Sequence, residues 1–195
     1  MKKSVIALAM GLMLLASGAM AFENNLIGIF GEAEALTCAA DTPVGMPMTI
    51  YIIAWLVDVP GITAAEFRID NYTGNPGYPS AIVTQTWNSP LTVGTIDEGF
   101  SIAFQEVQPG PVVVLGSIEY LIFNPTFPGA DYKMCVAETL DSGNLVIVDA
   151  DYVTIPVAGW CFVFNCVPGG PNGNCDCLDT IPVQDSNWGA VKALY

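Results

Sequence analysis

Residues 49–57 read TIYIIAWLV, a continuous β-branched and aromatic run that carries no charge. Such a composition suits a strand covered on both faces, because branched and aromatic side chains fill a pleated surface well. Directly downstream, residues 65–70 (AEFRID) alternate apolar and charged, which marks a strand with one wet face. Residues 100–105 (FSIAFQ) alternate in the same way. Another continuous apolar run, PVVVL at 111–115, continues after Gly116 through IEYLIF at 118–123. Shorter strand candidates lie at 26–30, 81–87, 132–136, 145–148 and 159–164.

Between these runs fall DVPG (58–61), NYTGNPGYPS (71–80), NSP (88–90), QPGP (108–111), NPTFPGAD (124–131) and DSGN (141–144). Each is rich in the residues that turn a chain. No long amphipathic helical run and no fixed-period repeat interrupts them. Strands at this turn-bounded spacing predict an all-β chain, an antiparallel β-sandwich of the Ig-like or jelly-roll kind. Its core is expected to take Ile52, Phe67, Ile69, Phe100, Ile102, Phe104 and Leu121.

The N-terminus addresses the compartment. Met1-Lys2-Lys3 is positive, residues 5–15 are apolar apart from Gly11, and Ala19-Met20-Ala21 offers small residues where a signal peptidase reads them. Residues 1–21 are therefore expected to be a cleaved secretory signal, too short to span a membrane. The expected division is 1–21 signal peptide, 22–167 β-sandwich, and 168–195 a Cys/Gly/Pro-rich segment with a linker and a short aromatic tail. Without the two lysines of the leader, Arg68, Lys133 and Lys192 face 19 acids, a charge of −16. That field repels nucleic acid. The mature chain is read as secreted, extracellular or cell-surface, and not transmembrane.

All six cysteines (Cys38, Cys135, Cys161, Cys166, Cys175, Cys177) lie in the exported part. An even number in an oxidising compartment reads as disulfides rather than a zinc site, since no matched second pair and no histidine is present. Cys175 and Cys177 are too close in sequence to bond each other comfortably. Short loops favour Cys161 and Cys166 as their partners, which leaves Cys38–Cys135 to join distant parts of the sandwich.

Four stretches carry a resemblance: NLIGIFGEAEALTC (25–38), VGMPMTIYIIAWLVDVPGITAAEFRIDN (44–71), LVIVDADY (145–152) and CDCLDTIPVQDSNWGAVKALY (175–195). Together they resemble a group of uncharacterised secreted proteins of uncultivated bacteria. Those combine a cohesin-like β-sandwich with a Cys-x-Cys segment and a tail similar to T/S-x-W-G-x-[IV]-K-x-L-Y. The stretch GITAAEFRIDN (61–71) separately resembles the early strands of cohesins, which bind dockerin modules. The resemblance implies a cohesin-like sandwich and attaches no biochemical role.

Chemistry is sparse. The absence of histidine removes the usual nucleophilic triads and the commonest transition-metal ligand. No nucleophile elbow, dinucleotide fingerprint or phosphate-binding loop is present. Paired carboxylates remain possible by composition alone, so the chain is read as non-catalytic. Asp149 and Asp151, with Asp141 upstream, offer oxygen ligands to Ca²⁺, or else simply face water on an edge strand. No other cofactor is expected. Tyr72, Tyr78 and Trp87 either form a sugar-stacking platform or cover the ends of the core.

The leading function is thus a secreted, non-catalytic interaction or structural module of the cell surface or extracellular matrix, with a protein or surface polymer as partner. A carbohydrate-binding module and, behind it, a carboxylate-based glycoside hydrolase are the alternatives. The tail adds an element of its own: a helix of about two turns from Ser186 or Asn187 would place Trp188, Val191 and Tyr195 on one face, flanked by Leu194, with Lys192 as a further recognition residue. So short a helix must dock to persist, either on its own sandwich or on a partner that reads the tail.

Overall fold

The structure, a computed structural model, describes residues 24–72, 80–124, 126–170 and Cys175. The expected leader, Tyr78, Cys177 and the tail residues Trp188, Val191, Lys192, Leu194 and Tyr195 lie outside the described residues. In chain order the strands are β1 (Leu26–Phe30), β2 (Ala39–Ala40), β3 (Pro47–Trp55), β4 (Gly61–Asp70), β5 (Ala81–Trp87) and β6 (Leu91–Thr95). There follow β7 (Gly99–Pro109), β8 (Val112–Ile122), β9 (Tyr132–Ala137), β10 (Val146–Asp149), β11 (Thr154–Pro156), β12 (Ala158–Gly159) and β13 (Cys161–Phe164). No helix occurs among the described residues.

Two sheets pack face to face. The first runs β12–β1–β3–β8–β5. The second is built around β4, with β7 and then β6 on one side. On the other side β4 is shared: β10 pairs with Ile62 to Glu66, and β9 pairs with Arg68 to Asp70. The ladder therefore forks at Phe67, one branch continuing to β11 and the other through β13 to β2. Pairing is antiparallel except that β1 meets β12, and β2 meets β13, in parallel.

The run at 49–57 is legible in this architecture. Ile50, Ile52 and Ala54 face the inter-sheet core, which also takes Phe67, Ile69, Phe100 and Ile102. Ile53 belongs instead to a second cluster on the outside of the sheet, with Leu26, Phe30, Ala35, Cys38 and Trp160. Tyr51 and Trp55 pack against that outer cluster, where Trp160 Nε1 donates to Cys38 Sγ at 3.2 Å. Successive residues point to opposite faces, so Ile52 and Ile53 are both fully buried, one in each cluster. This strand is covered on both faces, which is why it alternates so little.

Aromatic rings bridge the layers. Trp87 of β5 meets Phe67 and Phe100 of the opposite sheet with ring centroids 6.3 and 4.1 Å apart. Tyr120 and Phe164 approach edge-on at 5.5 Å, and the Tyr120 hydroxyl reaches Met134 Sδ at 3.7 Å. Offset and edge-on pairs of this kind add to the stabilisation from burial. Phe104 is half-buried against the same core. Leu121 departs from expectation: Ile118, Tyr120 and Ile122 of β8 face inward, so Leu121 between them faces out.

The cysteine pairing expected from loop length is corrected. Cys135 bonds Cys161, not Cys38, across the β9–β13 ladder with 4.0 Å between Cα atoms. The Val136 N–H bonds Trp160 O, so the adjoining Cys135–Cys161 position is a non-hydrogen-bonded pair, where side chains come closest. Register, not loop length, decided this bond. Cys166 bonds Cys175, one of its two expected partners, and Cys38 is itself disulfide-bonded.

Candidate functional site

The outer face of the second sheet is unusually free of charge for so acidic a chain. Because Ala65, Phe67 and Ile69 point into the core, Ala64, Glu66 and Arg68 point away from it. The register then carries two rows across the sheet. One runs Leu91, Ala103, Ala64, Val148 and Thr154. The other runs Val93, Ser101, Glu66, Val146 and Pro156. Small residues at the centre keep this face flat, and Val93 (75% exposed) and Leu91 (52%) rise at its β6 margin.

The turn following β9 closes the end of the face beside the β6–β7 turn. Thr139 and Asp141 sit over Gly99, where an added Cβ would lie 3.1 Å from Asp141 Oδ1. Leu140, 66% exposed, is anchored through its N–H to Glu98 O. The one acid in the rows is tied into this turn: Glu66 Oε1 accepts from Ser142 Oγ, from Thr139 Oγ1 at 3.3 Å and from Asn144 Nδ2 at 3.5 Å.

Beside the face, where β9 and β10 diverge from β4, lies a cleft of about 810 Å³. Arg68, Glu138, Leu140, Leu145, Pro156 and Trp160 are among its lining residues. Arg68 stands at the fork, its Nε donating to Glu138 O at 2.6 Å and its guanidinium paired with Asp70 at 2.8 Å.

The calcium candidates do not converge. Asp149 Oδ1 accepts the N–H groups of Asp151 (2.9 Å) and Val153 (2.8 Å), so this carboxylate closes its own hairpin turn. Asp141 lies beyond the other end of β10 and receives the Ser142 N–H at 2.8 Å. Among the described residues no group of three or more histidines, cysteines or acids is placed to hold a metal ion.

The aromatic candidates separate as well. Trp87 is a core residue. Tyr72 closes the side of the sandwich, its hydroxyl accepting from Gln85 Nε2 at 2.6 Å. Burial pushes its pKa above the usual 10.0; the Gln85 bond opposes this, and the Asp97 charge adds to it. The apolar face itself was not anticipated from sequence. Its signals were the alanines of AAEFRID and the LTVGT segment, whose apolar residues face solvent and so give no pattern of burial.

No protein-family model and no curated protein matches the chain. Solved structures do. The sixth cohesin of Acetivibrio cellulolyticus scaffoldin B, in complex with a Cel5 dockerin, matches with a TM-score of 0.47 at 12% identity, over 74% of this chain and 99% of that one. The cohesin of a Coh-OlpA–Doc918 complex from Clostridium thermocellum matches with a TM-score of 0.46 at 13% identity, over 74% and 99%. A non-cellulosomal cohesin from the archaeon Archaeoglobus fulgidus matches with a TM-score of 0.44 at 14% identity, over 75% and 94%. The structural neighbours are cohesin modules.

Proposed function

We propose that this chain is an exported, non-catalytic protein-interaction module that presents the outer face of β6–β7–β4–β10–β11 to a protein partner. The observation that carries this reading is the pair of apolar and small-residue rows across that face, with Leu91 and Val93 at its β6 margin and Leu140 at the end beside the β6–β7 turn. A flat apolar patch on a strongly acidic chain fits a partner with an apolar centre and a basic rim. Glu66 is held by three side chains of one turn, which gives a positioned acceptor in the middle of the patch and not a free catalytic acid. The first partner class to test is a dockerin-type module, because Ala64, Glu66 and Arg68 lie within the stretch that resembles cohesin strands.

The test is a titration of the oxidised chain against a panel of purified dockerin modules by calorimetry. Wild-type protein is expected to bind at least one member. Val93→Lys and Ala64→Lys are expected to weaken that binding about ten-fold or more while leaving melting temperature close to wild type. Binding that survives both substitutions would move the interface elsewhere. No binding to any member would remove dockerins as the partner class.

A further inference from the structure

Strand β5 forms the rim of the first sheet, paired through one edge with β8 and, among the described residues, through the other with nothing. The ladder shows which backbone groups this leaves free. Phe123 donates to Ser80 O at 2.9 Å and Asn88 donates to Leu115 O at 3.0 Å, both in the β5–β8 register. Even-numbered residues from 80 to 88 therefore turn their backbone groups toward β8. The N–H and C=O of Ala81, Val83, Gln85 and Trp87 project from the rim.

Exposed edges in natural sheets are normally blunted by charge, proline or a bulge. Strand β5 has none of these. Its register with β8 runs from Ala81↔Ile122 to Trp87↔Gly116 without a shift. No charged residue occurs anywhere between Asp70 and Asp97, in a chain with 19 acids and five basic residues. Two copies of so acidic a molecule can approach at this rim with the least repulsion.

We propose that β5 is a dimerisation edge, pairing antiparallel with β5 of a second copy about a two-fold axis at Thr84. That register engages every free group: Ala81 lies opposite Trp87 of the second copy, and Val83 opposite its Gln85. Four such pairs, each exchanging two bonds, join the two first sheets into one continuous sheet. On the outer face Thr84 meets Thr84, and Ile82, 57% exposed alone, meets Thr86. Glu119 lies opposite Thr84 on β8, so the two copies of Glu119 stand three strand spacings apart. That is about 14 Å, beyond the ~8 Å screening length at physiological salt. An extended segment of another protein would use the same edge, but only a second copy imposes the two-fold register.

Sedimentation of the oxidised full chain from about 1 to 200 μM measures the association directly. Dimer is expected to form within that range. Thr84→Lys places two lysines face to face at the axis, while Glu119 gives each an intrachain partner, so the monomer keeps its fold. It is expected to raise the dissociation constant about ten-fold or more with little change in melting temperature. Thr84→Cys falls on a non-hydrogen-bonded pair with Cα atoms about 4.5 Å apart, and is expected to give a covalent dimer on oxidation. Ile82→Cys faces Thr86 and is not. A wild-type chain that stays monomeric throughout, a dimer indifferent to Thr84→Lys, or equal cross-linking by Ile82→Cys would each overturn the proposal.

Discussion

Trp87 owes its seat to the absence of a side chain across from it. A Cβ on Gly116 would sit 2.4 Å from Trp87 Cε3 and 2.6 Å from Thr86 O. Gly116→Ala is therefore expected to destabilise the fold by about 1–3 kcal/mol, read as a lower denaturation midpoint in urea. Tyr72 gives a second residue-level expectation. Its folded pKa is raised, chiefly by burial, so its contribution to stability is complete below pH 10.0 and is lost as pH rises above that value. Stability measured across this alkaline range should fall less steeply in Tyr72→Phe than in wild type.

At the scale of elements, the β10–β11 hairpin depends on one carboxylate. Asp149→Ala leaves the Asp151 and Val153 N–H groups without their acceptor, and about 1 kcal/mol of stability should go with it. Asp149→Asn keeps an acceptor oxygen and should retain most of it, with thermal melts of the two variants compared side by side. Some strands were readable in the sequence as short apolar or β-branched runs between turn residues: residues 26–30, buried throughout, and 81–87 were placed to the residue. Strand β6 was not, because Leu91 and Val93 face solvent and Gly94 has a positive φ of 92°. An exposed apolar strand carries no inside-outside rhythm to read. The two-residue strands β2 and β12 were equally hidden, since they exist only through partners distant in sequence. The candidate face shared this fate: its rows are assembled by register across five strands, and no one strand displays them.

For the whole molecule, covalent bonds reinforce one branch of the fork, within the β9–β13 ladder and in the segment that follows it. Cys135–Cys161 closes a separation of 26 residues and Cys166–Cys175 one of nine. By loop-closure entropy the first is worth about 3–4 kcal/mol and the second about 2–3 kcal/mol. Chemical denaturation of Cys135→Ser/Cys161→Ser should show the larger loss. The even number of cysteines pointed to disulfides; their connectivity was invisible, because it follows from which residues stand opposite one another in a ladder. The interaction reading depends on the same scale, since a face with Glu66 as the one acid in its rows stands out only against the acidic remainder of the surface.

The contact between Trp160 and Cys38 has a spectroscopic consequence. An excited indole readily passes an electron to an adjacent disulfide, and here the Trp160 ring nitrogen lies 3.2 Å from the sulfur of a bonded cysteine. Emission from this tryptophan should be quenched while the Cys38 bond is intact and brighten when a mild reductant opens it. Trp160→Phe should abolish the rise, although Trp55, Trp87 and Trp188 still emit. Fluorescence that stays level while thiol counting shows Cys38 reduced would contradict this. A rise would give the oxidised fold an intrinsic optical reporter of its own redox state, readable without any added label.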